Sequence, residues 1–152
     1  MTGFTSTEPD LDDWLRKRAL ANEGRTARSY VVCAGPRVVG FYALVNGAVQ
    51  RAAVTPKMRR NAPDPVPVMI IGRLAVDKAW ERRGIGGGML RDAVLRTLQA
   101  SEIAGIDAVL VHAVSDPAKR FYLGHGFSAS ELEPMTLMVR LKDAQLALDH
   151  VP

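Results

Sequence analysis

Arg83-Gly84-Ile85-Gly86-Gly87-Gly88 follows an apolar run that ends at Val76 and opens directly into a helix-period pattern. Four glycines in five positions at a strand-to-helix turn read as a phosphate cradle. Without a Cβ the backbone turns tightly and comes close to a ligand, so successive N–H groups point at an anion beside a helix N-terminus. The ligand this implies carries phosphates. Two familiar phosphate loops do not fit. A nucleoside-triphosphate loop ends in Gly-Lys-Ser/Thr, whereas here Gly88 is followed by Met89-Leu90. A dinucleotide unit places its glycines in the first strand-to-helix turn, whereas here several extended segments come first.

Working outward, Leu90, Ala93, Val94, Thr97 and Leu98 recur on one helical face, with Arg91, Asp92 and Arg96 elsewhere, and Gly105 reads as the close of that helix. Upstream lies a strand, Val68 to Val76. The stretch Arg59 to Pro67 before it carries Pro63, Pro65 and Pro67 and is expected to be a loop. Ser29 to Ala34 and Val38 to Val45, separated by Gly35-Pro36, form a hairpin, and Gly47 is read as opening a third extended segment to about Val54. Asp10 precedes Leu11, Trp14, Leu15 and Arg18, which predicts a helix from about Leu11 to Ala21, ended by Gly24. After the glycine turn come a strand from Asp107 to Ala113, a helix from Pro117 to Leu123, and a strand from Met135 to Leu141 before a polar tail. The order helix, strands, helix, strand, helix, strand specifies a mixed α/β layer fold. No internal repeat or low-complexity segment interrupts it.

At 152 residues and 47% hydrophobic composition, residues 1–152 are expected to form one domain with a core that needs no covalent staples. The only cysteine, Cys33, lies in an apolar run, which excludes an intrachain disulfide and reads as a small buried hydrophobe in a reducing, cytoplasmic setting. No stretch approaches the roughly 20 apolar residues of a membrane span, and Met1 to Asp13 is polar and acidic, so no membrane partner is expected. The formal charge is +4, and residues 1–60 hold ten Lys or Arg against five Asp or Glu. Such a basic half suits a polyanion, and Lys17, Arg18, Arg59 and Arg60 are candidate nucleic-acid contacts.

Strand, Arg-Gly-x-Gly turn and helix, followed by Ala118-Lys119-Arg120-Phe121-Tyr122 and Gly124-His125-Gly126-Phe127, resemble the GCN5-related N-acetyltransferase (GNAT) superfamily over nearly the whole chain. The resemblance implies an α/β GNAT fold, with a mixed, mostly antiparallel central sheet and helices on both faces. Relatives usually place a first strand ahead of the first helix; only about ten residues precede it here, so that edge strand is missing or shortened on this reading. It further implies acetyl-CoA as cosubstrate, with its pantetheine arm on Leu74, Ala75 and Val76. Its pyrophosphate would lie on Arg82, Arg83, Gly84, Ile85, Gly86 and Gly87, with Ala118 and Phe121 also at the cofactor and Tyr122 as catalytic acid. The family's Gln/Arg-x-x-Gly-x-Gly/Ala pattern, set on Gly84 and Gly86, puts Glu81 where Gln or Arg is usual. A shift of two residues gives a literal match at Arg83, Gly86 and Gly88, but the first register keeps the turn ahead of the helix and is preferred.

Within the superfamily, Leu11-Asp12-Asp13-Trp14-Leu15, the loop Arg60-Asn61-Ala62-Pro63-Asp64-Pro65-Val66-Pro67 and Gly72-Arg73-Leu74-Ala75-Val76-Asp77 resemble the acetyltransferase toxins of bacterial toxin–antitoxin pairs. That implies acetylation of aminoacyl-tRNA, blocked translation and neutralisation by a ribbon-helix-helix antitoxin. It also implies contact with operator DNA only through the antitoxin, and a homodimer. The alternatives are a GNAT enzyme for a small-molecule or protein amine and a non-enzymatic repressor subunit.

Acid–base chemistry adds a partly separate argument. A lysine amine has a pKa of about 10.4 and needs a base at neutral pH, whereas an α-amine of about 7.7 to 8.0 is already partly neutral. The strand Met69 to Val76 contains no Asp or Glu and offers Arg73, either for an internal acid or for the tRNA acceptor end. The proposed chemistry is direct attack of the amine on the thioester, with Tyr122 protonating the thiolate. His112, His125 and His150 lie at no metal-ligand spacing, so no metal is expected, and His112 reads as a strand-end hydrogen-bonding residue. Phe4 and Trp14 read as core or dimer contacts, Asn61 and Asp64 as turn formers, and Met135, Leu137 and Val139 as alternating core residues.

Overall fold

The computed structural model describes residues 27–149, with side chains through residue 145. The helix read at Leu11 to Ala21, its Trp14, Lys17 and Arg18, Phe4, His150 and the strand in question ahead of that helix all lie outside the described residues. Within them, strands β1 (Arg28–Ala34), β2 (Arg37–Val49), β3 (Val66–Val76), β4 (Ala108–His112), β5 (Ser128–Ala129) and β6 (Thr136–Arg140) are interspersed with helices α1 (Pro56–Arg59), α2 (Ile85–Ala100), α3 (Asp116–Gly124) and α4 (Leu141–Asp149). The six strands hydrogen-bond in the order β1-β2-β3-β4-β6-β5, and β1–β2, β4–β6 and β5–β6 are antiparallel. This is the mixed, mostly antiparallel α/β sheet expected. The chain divides into two compact units, one running to Val45 and including Ile71–Ala93, the other comprising Asn46–Ile70 and the chain from Val94 onward.

In the first unit, β1 and β2 form the expected hairpin around Gly35, whose φ of 60 suits the first position of a two-residue hairpin turn. Val39, Phe41, Tyr42, Ala43 and Leu44 are all buried, so this part of β2 is covered on both faces. Tyr30 on β1 stacks on Tyr42 with ring centroids 5.1 Å apart. Cys33, expected inside, is exposed, as is Val31. Among the described residues, β1 stands at the end of the sheet order and has no fully buried residue, which apolar composition alone does not reveal.

In the second unit, Val54, Met58, Val66, Val68, Ala108, Leu110 and Met138 make a continuous core. Several expectations fail here for physical reasons. Gly47 does not open a new segment: β2 runs unbroken to Val49 and a 3₁₀ turn, Arg51–Ala53, follows. A Cβ at Gly47 would lie 2.5 Å from Cδ1 of Ile70, so this glycine marks a close approach rather than a break. Pro67 lies inside β3, where its carbonyl accepts the Asp107 N–H at 2.9 Å. Helix α2 ends at Ala100, not at Gly105; the Ile103 and Ala104 N–H groups both return to the Ala100 carbonyl, at 3.2 and 3.0 Å. Thr136, Leu137 and Met138 are buried in succession rather than in alternation, so this part of β6 is covered on both faces. The polar tail after β6 is helix α4.

Candidate active site

In the first unit, β3 delivers Leu74, Ala75 and Val76 to the start of the turn, with Ala75 buried. Asp77, only 3% exposed, then fixes the chain direction. Its N–H donates to the Val39 carbonyl at 2.8 Å, its Oδ1 accepts the Ala79 N–H at 3.0 Å, and its Oδ2 accepts Arg37 Nη2 at 3.2 Å. A 3₁₀ turn, Lys78–Trp80, follows, and the Arg83 guanidinium lies 4.4 Å above the Trp80 ring.

Arg82 and Gly84 have φ values of 64 and 80, and α2 begins at Ile85. The Gly88 N–H donates to the Gly84 carbonyl at 3.0 Å, the first bond of the helix ladder. The N–H groups of the residues just before Gly88 therefore have no carbonyl one turn earlier to bond. No acidic residue lies in the first turn, and Arg82 and Arg83 are exposed. A Cβ at Gly40 on β2 would come within 3.2 Å of Ile85 Cγ2 and Met89 Sδ, so a bare backbone there lets the helix start seat closely on the strand. Main-chain donors, positive partial charge at the helix start and two arginines make this turn suited to pyrophosphate.

In the second unit, α3 carries Ala118, Phe121 and Tyr122. Ser115 caps it by accepting the Ala118 N–H at 3.2 Å, and Pro117 occupies its first turn. The C-terminal end explains the Gly-His-Gly-Phe run. The His125 and Phe127 N–H groups both donate to the Tyr122 carbonyl, at 3.0 and 3.1 Å, and Gly126, at φ 91, reverses the chain. Phe127 is thereby turned back onto Tyr122, with ring centroids 5.6 Å apart, while Phe121 meets Tyr122 edge-on at 5.2 Å. His125 donates Nδ1–H to the Phe121 carbonyl at 2.9 Å. Burial pushes the Tyr122 phenol up to about 12, so at neutral pH it holds its proton.

The same unit contains a pocket of about 310 Å³ lined by Val68, Ile70, Leu110, His112, Glu133 and Thr136 among others, with no lysine or arginine in its wall. His112 Nδ1 lies 3.0 Å from Thr136 Oγ1, in keeping with the hydrogen-bonding role read for it. Buried Ser130 accepts the Glu133 N–H at 3.1 Å and donates its own N–H to Thr136 at 2.8 Å, which holds Glu133 at the pocket. Glu133 and Ser115 carry no reading in the sequence, and Asp77 enters it only as the last residue of the motif Gly72 to Asp77. Ser115 two residues before Pro117 was a visible capping signal; the partners of Asp77 and Glu133 carry none.

Of the candidate nucleic-acid contacts, Arg59 and Arg60 are exposed, and Arg59 Nη2 donates to the Val54 carbonyl at 3.1 Å. Asp64 accepts the Arg51 N–H at 3.1 Å and Asn61 sits at φ 61, so both shape the turn. Among the described residues, no group of three or more His, Cys, Asp or Glu is placed to hold a metal, and no helix is long and apolar enough to cross a membrane.

The chain is similar to known proteins over most of its length. A tRNA-acetylating toxin of Mycobacterium tuberculosis is 49% identical over 146 residues, covering 95% of this chain and 88% of that protein. Among solved structures, the KacTA–DNA complex superposes with a TM-score of 0.83 at 27% identity, covering 98% of this chain and 91% of that one. AtaTR bound with acetyl-CoA superposes with a TM-score of 0.81 at 26% identity, covering 96% and 89%. Residues 25–129 match the acetyltransferase (GNAT) domain, and with the glycine turn and the Tyr122 helix in place the chain belongs to the GNAT family of acetyl-CoA-dependent acetyltransferases.

Proposed function

We propose that this chain is a toxin that transfers acetyl from acetyl-CoA to the α-amino group of aminoacyl-tRNA and so blocks translation. On this reading residues 1–152 act as a single N-acetyltransferase domain, cytoplasmic and homodimeric. A ribbon-helix-helix antitoxin neutralises it and is its only route to operator DNA. The observation that carries the proposal is the 49% identity, over 95% of the chain, to a protein that acetylates tRNA.

On this reading each group takes the role that the family resemblance implies. Main-chain N–H groups from Arg82 to Gly87 hold the pyrophosphate, and Leu74 to Val76 hold the pantetheine arm and polarise the thioester carbonyl through their amides. The neutral α-amine attacks that carbonyl, the C–S bond breaks as Tyr122 gives its proton to the thiolate, and the proton lost by the acylated nitrogen, passed through water, restores the phenol. A phenol held up at about 12 gives its proton to a thiolate, of pKa about 8.5, at a cost of about 5 kcal/mol. That is well inside the roughly 17 kcal/mol barrier of a reaction turning over once per second. Ala118 and Phe121 border the cofactor from the helix that carries Tyr122.

Incubation with radiolabelled acetyl-CoA and bulk charged tRNA tests the proposal. Label in the tRNA fraction is the expected result. Label only in polyamines or proteins points to a general amine acetyltransferase, and no transfer to any acceptor removes the enzymatic reading.

A further inference from the structure

Apart from the glycine turn, Tyr122 and the Glu133 pocket, the second unit holds a groove of about 680 Å³ whose lining includes Thr55, Lys57, Met58, Ser128, Arg140 and Asp143. Its charges are arranged in an unusual way. Lys57 Nζ lies 3.2 Å from Asp143 Oδ2, and Arg140 reaches the same carboxylate through Nη2 at 3.0 Å and Nε at 3.3 Å. One acid therefore gathers two cations that are distant in sequence, and the lining keeps a net positive charge. The hydrogen bond from Arg140, and then that from Lys57, hold the Asp143 carboxyl below its usual range against the opposing effect of desolvation, so the tether stays ionised at neutral pH. Exposed Arg59 and Arg60 continue the basic character after buried Met58, and exposed Lys142 precedes Asp143.

A phosphodiester oxygen pair offers Arg140 the same fork geometry that Asp143 now occupies, and Lys57 can follow as a flexible point charge. The hydroxyls of Thr55 and Ser128 add donors suited to phosphate. We infer that this groove seats the phosphate backbone of the RNA acceptor, with Lys57 and Arg140 as its contacts and Asp143 as a built-in counter-ion that the phosphate displaces. The inference rests on the tRNA reading above and extends the basic stretch that holds Arg59 and Arg60 to Arg140 and its counter-ion Asp143.

The counter-ion role makes a prediction of opposite signs. With the full-length protein and bulk tRNA, binding measured against salt concentration should weaken about three- to tenfold in Lys57→Ala and in Arg140→Gln, and the salt slope should fall by about 1 for each. Asp143→Asn should instead tighten binding several-fold. Thermal melts identify any variant that fails to fold, and Lys57→Glu supplies a second probe from α1, one that reverses the charge facing Asp143. Unchanged affinity in folded Lys57→Glu, or weaker binding in folded Asp143→Asn, overturns the inference. If these variants alter binding of polyglutamate but not of tRNA, the groove serves an acidic peptide and the RNA assignment is wrong. Wild-type protein that acetylates charged tRNA while the groove variants bind it normally defeats the groove alone; wild-type protein that neither binds nor acetylates tRNA defeats the parent reading as well.

Discussion

The glycine turn of the first unit and the Tyr122 corner of the second are built from opposite materials. The turn works through main chain: Gly84 at φ 80, an unpaired helix start at Ile85, and Asp77 fixing the approach. The Tyr122 corner works through one side chain, held by Phe121, Phe127 and the reversal at Gly126. A main-chain site tolerates many side-chain changes and fails when the backbone path changes. A side-chain site fails on loss of a single atom.

The largest expected effect tests that contrast directly. Tyr122→Phe removes one oxygen and should lower kcat by at least about 100-fold while the KM for acetyl-CoA stays within about twofold. Steady-state kinetics check it, and unchanged turnover takes Tyr122 out of the mechanism. The same group sets an alkaline limit. Its folded pKa, about 12, lies above the ordinary value of 10, so the fold favours the neutral phenol. Stability owed to that preference is complete below about pH 10 and is lost as pH rises through about 12. Turnover should therefore show no alkaline fall from pH 8 to 10; a fall centred near pH 9 would point to a different acid.

Gly84→Ala should act on the other side of the comparison. Its Cβ would meet nothing within 4 Å, so the cost is conformational, about 1 to 2 kcal/mol for a left-handed residue. The expected result is an increase of about tenfold in the KM for acetyl-CoA with kcat nearly retained. Asp77→Ala leaves the Ala79 N–H and Arg37 without this partner and should cost about 1 to 3 kcal/mol in chemical denaturation. The smallest effect belongs to Glu81→Gln, which removes a negative charge beside the turn and should lower the KM for acetyl-CoA by about two- to threefold. A rise instead would mean that Glu81 supports the turn rather than weakening it.

The two regions also differ in how much of them could be read from residues. Glycines at 84 and 86–88 state their purpose locally, since a positive φ and bare helix amides are properties of a few consecutive residues. The apolar face of α2 and the Pro117 start of α3 are similarly local. Tyr122 carries no such mark; only the resemblance of the surrounding run singled it out. The failures share a cause. Gly47 signals either a break or a close approach, and Ile70, 23 positions away, decides which. Cys33 is exposed on a strand that stands last in the sheet order among the described residues, and α4 reads as a polar tail in sequence because the cations that hold Asp143 include one from α1. Asp77 and Glu133 are ordinary acids until their distant hydrogen-bond partners are known.

The burial of Tyr122 has one more consequence under the proposed mechanism. A phenol that stays protonated across the cellular range can give a proton but is not available to take one before attack, so Tyr122 is not the group that neutralises the amine. At pH 7 about one α-amine in ten is already neutral, against about one lysine amine in a few thousand. On the proposed reading, an enzyme that takes no base from Tyr122 meets neutral α-amines a few hundred times more often than neutral lysine amines before any pocket contact is made.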